Sequence, residues 1–211
     1  VNAHLARGKD LVLSGPAGGA VGVADIARQS KLEPVLGFDM GGTSTDVCRY
    51  DGCLDRRYQM ELLDPETGAA MRVMAPMLTI DTVAAGGGSI CRFDGIQLTV
   101  GPGSAGATPG PAAYGHGGPL TITDCNVVLG RIQPEHFAFP LDIAAARARL
   151  AEVAAAIAHV NGHSPSLEAL AEGFLTVAVT TMAGAVKRLS MARGQVAHAH
   201  TLISFGGAGA Q

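Results

Sequence analysis

Residues 35 to 47 read Val35-Leu36-Gly37-Phe38-Asp39-Met40-Gly41-Gly42-Thr43-Ser44-Thr45-Asp46-Val47. The first four are an apolar run suited to a covered strand, and an extended pattern resumes from Asp46 to Asp51. The two glycines therefore lie in a turn between two strands. Glycine there lets the backbone approach a ligand and turn its N–H groups toward phosphate oxygens, while Thr43, Ser44 and Thr45 add hydroxyl donors. Asp39 and Asp46 are placed for a metal ion or its water, because Mg²⁺ needs only one or two carboxylates beside phosphates. The alternative is a plain Gly-rich hairpin with a hydroxyl edge and solvated aspartates.

Upstream of this hairpin, Ser14-Gly15-Pro16 fits a first helical turn. Small and aliphatic residues continue through Gln29 until Pro34 forces an extended chain. Downstream, Asp51-Gly52 and Asp94-Gly95 are hairpin signals within a mostly antiparallel β region. Glycine clusters at 15–22, 41–42, 86–88, 101–118 and 206–209, a distribution that favours ligand loops over disorder. The Gly- and Pro-rich stretch 101–118 reads as an ordered binding loop. Leu120-Thr121-Ile122-Thr123 is strand-like, with Asp124 as the cap of a short helix reaching Leu129.

From residue 141 the pattern turns helical. Asp142 opens an Ala-rich helix with Leu150, Val153 and Ile157 on one face, closed by Asn161-Gly162. Ser164-Pro165 opens a longer one whose apolar residues recur every three or four positions until Gly194, with Met182 and Met191 as core residues. The last strand, Thr201 to Phe205, runs into Gly206-Gly207-Ala208-Gly209.

The 211 residues suffice for one large domain, read here as residues 14–140 with an appended helical region and final strand over 141–211. A formal charge of −3 with scattered Lys and Arg offers no basic stripe, so neither nucleic acid nor an anionic membrane is an expected partner. No uninterrupted apolar run reaches the roughly 18 residues that span a bilayer, and Val1 to Leu5 lacks the pattern of a leader. Cys48, Cys53, Cys91 and Cys125 show no paired short spacing, which implies reduced packing thiols in a cytoplasmic protein.

An Asp-x-Gly-Gly-Thr strand end followed much later by Phe-Gly-Gly-Ala-Gly resembles the second half of the actin-like, ribonuclease H-like ATPase fold. No P-loop occurs. The match to one family is closer. Ser14-Gly15-Pro16-Ala17-Gly18-Gly19, the Gly37–Val47 block and Thr82-Val83-Ala84-Ala85-Gly86-Gly87-Gly88-Ser89 resemble the hydantoinase A and 5-oxoprolinase family. Ser104 to Ala107, Pro109 to Ala112, Thr121 to Asp124 and Ser204 to Gly209 follow in the same order.

The resemblance implies an α/β, actin-like ATPase half with an antiparallel β-rich insertion and C-terminal helices. It implies ATP and Mg²⁺ as cofactors and phosphorylation of a lactam oxygen before ring-opening hydrolysis of a small cyclic amide. The implied partners are an N-terminal half of the same protein and a hydantoinase B type subunit or domain, without which this stretch is expected to be inactive. By the same resemblance Asp39 orients Mg²⁺ or its water, Gly41, Gly42 and Thr43 hold phosphates, and Gly206, Gly207 and Gly209 face adenosine. Asp46 supports Thr43 or the metal shell. The Gly86-Gly87-Gly88-Ser89 loop either binds an anion through its N–H groups or permits close packing, and Asp124 carries either a site role or only a cap.

Asp81, Gly103, Thr108 and Ala113 depart from residues common in the family. Ala113 removes a family cysteine, and 137–141 is a short connection. Two other functions share these residues: a nucleotide-responsive structural module and a ketone carboxylase subunit.

Overall fold

The computed structural model describes residues 13–64 and 66–211; the reading of Val1 to Leu5 as no leader lies outside the described residues. The chain forms two compact units whose segments interleave. The first takes residues up to Asp39, Asp46–Asp81 and Lys187–Ile203; the second takes Met40–Thr45, Thr82–Val186 and Ser204–Gln211.

Helix α1 (Ser14–Ser30) opens the first unit and buries Ala20, Val23, Ala24 and Ala27, the i, i+3, i+4, i+7 set of one face. Small residues on that face allow a close approach to the sheet. A Cβ at Gly37 would lie 2.7 Å from both Cys48 Sγ and Val23 Cγ2. Lys31 ends the helix in a left-handed conformation before Pro34. The glycines at 15–22 lie within this helix, in keeping with the helical reading of Ser14 to Gln29.

The strands are β1 (Val35–Met40), β2 (Thr45–Asp51), β3 (Cys53–Leu54), β4 (Arg56–Leu63), β5 (Ala70–Leu78) and β6 (Ile80–Val83). The last strand, β9 (Thr201–Phe205), joins them in a five-stranded sheet of order β3-β2-β1-β9, with β6 on β2. The turn at Asp51-Gly52 sets Asp51 opposite Cys53, with Gly52 at φ 67°, as the hairpin signal predicts. Strands β4 and β5 form a separate antiparallel ribbon. Its turn is held by the Asp64 carboxylate, which accepts from Glu66 N, Thr67 N and Thr67 Oγ1. In the same unit Arg49, only 6 % exposed, donates to Asp51 at 2.6 Å and to Gln195 at 2.8 Å. This anchors the returning segment after the long helix on β2.

The second unit holds the hairpin of β7 (Ser89–Phe93) and β8 (Leu98–Ser104), then helices α2 (Ile122–Val128), α3 (Ile143–Asn161) and most of α4 (Leu167–Met191). Asp94 Oδ1 accepts from Ile96 N and Gln97 N, closing the β7–β8 turn. Asp142 caps α3 through a bond from Ala145 N, and Gly162 closes it at φ 76°, both as read from the sequence.

Four expectations are corrected. Leu120–Thr123 is not a strand: Thr121 makes a single bridge with Ile90, and the helix starts at Ile122. Its cap is Thr121, with Asp124 at the third helical position of a capping box, because the Thr121 hydroxyl faces Asp124 N. The presumed loop 101–118 contributes Gly101–Ser104 to β8 and a 3₁₀ turn at Ala112–Tyr114. Helix α4 begins at Leu167, where Ser166 Oγ takes Ala169 N, two residues after the expected Pro165.

Helix α4 is long and apolar enough by composition to cross a membrane; its Leu170, Phe174, Ala178, Met182, Ala185 and Leu189 are buried in the fold. Met191 is exposed rather than core, and Cys53 is the exposed thiol beside buried Cys48, Cys91 and Cys125. Burial pushes the Cys48 thiol up to about 11, which suits packing and not nucleophilic chemistry.

Candidate functional site

The hairpin tip Met40–Thr45 belongs to the second unit, and two glycines brace it there. Gly87 N donates to Gly41 O at 3.0 Å and Gly88 N to Gly42 O at 2.6 Å, while Gly86 N donates to Ser89 Oγ at 2.8 Å. All three N–H groups of the Gly86–Gly88 loop are spent inside the protein. Any side chain would also collide, since a Cβ at Gly86 would sit 2.5 Å from Gly41 O and one at Gly88 would sit 2.9 Å from Gly42 O. Of the two roles open to this loop, packing beneath the hairpin is the one that its geometry carries; its N–H groups are not aimed at an anion.

The exposed tip is different. Gly42 and Thr43 are exposed. No backbone carbonyl among the described residues accepts from either N–H. Thr43 Oγ1 is 3.3 Å from Ser104 Oγ, which in turn receives Gly106 N. Thr45, in contrast, is fully buried and donates to Ala85 O at 2.6 Å, so it braces the strand end and offers no hydroxyl to a ligand. Ser89 is likewise buried and spent on Gly86 N. Ser44 is half-buried, and its carbonyl closes the turn by taking Gly41 N at 2.9 Å.

The second glycine loop meets the first within the same unit. Ala208 N donates to Met40 O at 2.8 Å, and Gly207 and Ala208 line a cleft of about 210 Å³ with Gly42, Gly87 and Gly88. Tyr114, Thr123 and Gln211 supply its larger side chains, and Thr123 Oγ1 donates to Gln211 Oε1 at 2.9 Å. Gly207 has open space where a Cβ would stand. Gly209 has none, because a Cβ there would press on the Phe205 backbone; its glycine serves the turn itself. Gly206 sits at φ 97°, a conformation that favours glycine.

Asp124 lies outside this cleft. It is fully buried and accepts four hydrogen bonds, from Ala112 N (3.1 Å), Ala113 N (2.7 Å), Thr121 N (2.8 Å) and Thr121 Oγ1 (2.8 Å). Burial pushes its carboxyl above the ordinary value, and these four donors pull the other way. Its role is to clamp the 3₁₀ turn at Ala112–Tyr114 onto α2, so neither a bare cap nor a ligand contact describes it.

Asp39 and Asp46 flank the tip in sequence and belong to the first unit. Both are half-buried. Burial, and then the nearby Asp46 charge, push the Asp39 carboxyl above the usual carboxylate range. Two neighbouring carboxylates fit a divalent cation that completes its shell with phosphate and water. Among the described residues no group of three or more His, Cys, Asp and Glu could hold a metal by itself. Asp81 bonds Arg188 at 2.9 Å.

Sequence reasoning gave no role to Ser104, Thr123 or Gln211. Ser104 and Thr123 stand in the recognised blocks, which was their available signal. Gln211 carried none, being brought in by the final turn.

The profile of the hydantoinase/oxoprolinase family matches residues 1–211. The chain belongs to that family. It is 44% identical over 214 residues to the 5-oxoprolinase PfmaA of Pestalotiopsis fici, covering 97% of this chain and 16% of that protein. In structure it is similar to nucleotide-free acetone carboxylase, with a TM-score of 0.77 and 28% identity over 96% of this chain and 28% of the other. It is also similar to the ATP-dependent caprolactamase of Pseudomonas jessenii, with a TM-score of 0.73 and 32% identity over the same shares. The chain thus spans about a sixth of the length of the 5-oxoprolinase that it matches.

In this hydantoinase/oxoprolinase chain the brace beneath the hairpin gives a direct stability test. Gly88→Ala is expected to cost about 1–3 kcal/mol through overpacking against Gly42 O and Ser104 Oγ. Thermal unfolding should show a Tm lower by roughly 2–4 °C per kcal/mol. Gly42→Ala, where a Cβ meets nothing within 4 Å, is the control that leaves Tm in place.

Proposed function

We propose that this chain is the part of an ATP-dependent cyclic amidase that presents ATP to the lactam. The observation that carries the reading is the exposed Gly42-Thr43 tip, braced by the N–H groups of Gly87 and Gly88, with Gly42 and Gly207 lining one cleft. A brace of that kind holds backbone donors in place before the charged ligand arrives, which is what phosphoryl transfer asks of a protein. The relatives named 5-oxoprolinase and caprolactamase supply the substrate class.

An unactivated lactam is a poor electrophile. Transfer of the γ-phosphoryl group to its carbonyl oxygen, with ADP leaving, makes that oxygen a leaving group. Water then attacks the carbon, and the adduct expels the ring nitrogen, which takes a proton as the C–N bond opens. The acyl phosphate that results is hydrolysed by a second water to carboxylate and phosphate. In this reading Gly41, Gly42 and Thr43 hold phosphate oxygens, and Gly206 and Gly207 let the nucleoside lie close. Mg²⁺, when bound, neutralises phosphate charge. Asp39 would hold it or its water, with Asp46 in support. An N-terminal region of the same polypeptide and a hydantoinase B type component complete the enzyme; the much greater length of the relatives supports this. The proposed compartment is the cytoplasm, in keeping with the free thiols Cys48, Cys53, Cys91 and Cys125.

The likeness to acetone carboxylase favours a second reading, phosphorylation of a ketone before carboxylation. One assay separates them. ADP release by the full-length protein with its partner is measured with 5-oxoproline, and in parallel with acetone plus bicarbonate. Stimulation by 5-oxoproline, together with ring-opened product, is expected. Stimulation only by acetone and bicarbonate would replace the amidase reading with the carboxylase one, and ATP turnover indifferent to both would leave a structural module.

A further inference from the structure

Ser104 ends β8 beside the exposed tip, and its hydroxyl stands among three groups there. It accepts from Gly106 N at 3.2 Å, lies 3.3 Å from Thr43 Oγ1 and is 3.5 Å from Gly42 O. Its position is built by the same loop that braces the tip. Ala105 N donates to Gly88 O at 2.9 Å, which ties the end of β8 to that loop. A Cβ at Gly88 would come within 3.2 Å of Ser104 Oγ, so glycine leaves the room in which the hydroxyl sits. Ser104 is half-buried and Thr43 exposed, so the pair has one side fixed by the protein and one side open.

A hydroxyl has one proton to give and two lone pairs to accept with. Because Gly106 N–H already points into Ser104 Oγ, the Ser104 proton goes elsewhere, and the acceptors in reach are Thr43 Oγ1 and Gly42 O. Gly42 O is the poorer of the two: it is the farther, and Gly88 N already donates to it at 2.6 Å.

A phosphate oxygen of ATP only accepts, so Thr43 binds one only when its own proton points outward. In that state Thr43 Oγ1 has a lone pair left for Ser104. The bonds then run one way, from Gly106 N through the Ser104 and Thr43 hydroxyls to the phosphate, and each donor in such a chain strengthens the next. Resting on the reading of Thr43 as a phosphate ligand, the geometry points to Ser104 as the positioning residue that turns the Thr43 proton toward the ATP phosphates. Without ATP the Thr43 hydroxyl donates to Ser104 instead, and the reversal needs only rotation of two hydroxyls.

The test is a double-mutant cycle in the full-length protein with its partner. It is read as kcat/KM for ATP in ADP release with 5-oxoproline, and as Kd for Mg-ATP, so that a slow variant is still measured. Thr43→Ala is expected to weaken both about tenfold or more, the scale of one hydrogen bond to a charged group. Ser104→Ala should weaken them about fivefold, the scale of a neutral bond. Ser104→Thr keeps the hydroxyl and should stay within about twofold of wild type. In the Thr43→Ala background, Ser104→Ala should add less than about twofold, because residues that act through one another are not additive. Losses that multiply, as a purely structural role or a bond through Gly42 O would give, overturn the proposal, and so does a Ser104→Ala protein equal to wild type. Should Ser104→Ala fail to fold, Ser104→Cys, with a weaker donor, carries the same cycle. Stimulation by acetone and bicarbonate in place of 5-oxoproline overturns the amidase reading alone, and the cycle is then read with those substrates. Thr43→Ala without effect, or a wild-type protein that turns over no ATP, overturns the phosphate role of Thr43 and this proposal together.

Discussion

Asp39→Asn is expected to lower ATP turnover by the full-length protein at least ~10²-fold, the range seen when a catalytic electrostatic group is removed. The amide keeps the shape of the side chain and loses the charge that a divalent cation needs. Stability should move the other way or not at all. Burial and the Asp46 charge both disfavour the Asp39 carboxylate in the folded chain, so its pKa is raised. A raised carboxyl contributes stability at low pH that is lost as pH rises through the folded value, and a neutral amide escapes that loss. Turnover assays paired with thermal unfolding at neutral pH check both halves. A kcat within tenfold of wild type would remove Asp39 from the metal site, and a fall in Tm of several degrees would assign it a structural role.

Asp124→Ala is expected to cost the fold about 3–5 kcal/mol. The carboxylate satisfies four donors in a fully buried place. Ala112 N retains a second acceptor in Pro119 O at 3.1 Å, and the Thr121 hydroxyl can turn, but Ala113 N and Thr121 N lose the side-chain acceptor they have. Each buried donor left without a partner costs about 1–3 kcal/mol, and the vacated space adds to that. Thermal unfolding should show a Tm lower by on the order of 10 °C. A loss under 1 kcal/mol would show that water replaces the carboxylate and that the clamp on Ala112–Tyr114 is dispensable.

Local signals that exclude alternatives were legible in the sequence. Asp51-Gly52 and Asp94-Gly95 demanded turns, Asp142 and Gly162 bounded a helix, and the apolar recurrence from Leu167 onward fixed a long one. The ribbon of β4 and β5 was foreseen only as antiparallel β in general, although Asp64, Thr67 and Gly68 marked its turn. Leu120–Thr123 was misread because its β-branched residues suit a strand, whereas the Thr121 hydroxyl and the Asp124 carboxylate together satisfy the exposed donors of a helix start. The segment from Ser14 to Gln29 was legible as a helix despite its glycines, because Pro16 suits a first turn and the small residues that follow pack close to a strand.

The sequence alone determined the hairpin that bears Asp39, the second glycine loop and the family, since each rests on residue types at fixed local spacing. Which of their groups face a ligand was decided by tertiary contacts alone. Thr43, Thr45 and Ser89 are similar hydroxyls within or near glycine-rich turns, yet Thr45 and Ser89 are buried and bonded to the protein while Thr43 stands exposed beside Ser104. The same holds for the backbone: Gly87 and Gly88 spend their N–H groups bracing Gly41 and Gly42, a pairing across more than 40 residues. Spacing along a chain shows what a group can donate. Only the arrangement of distant segments shows whether the protein has already taken the bond.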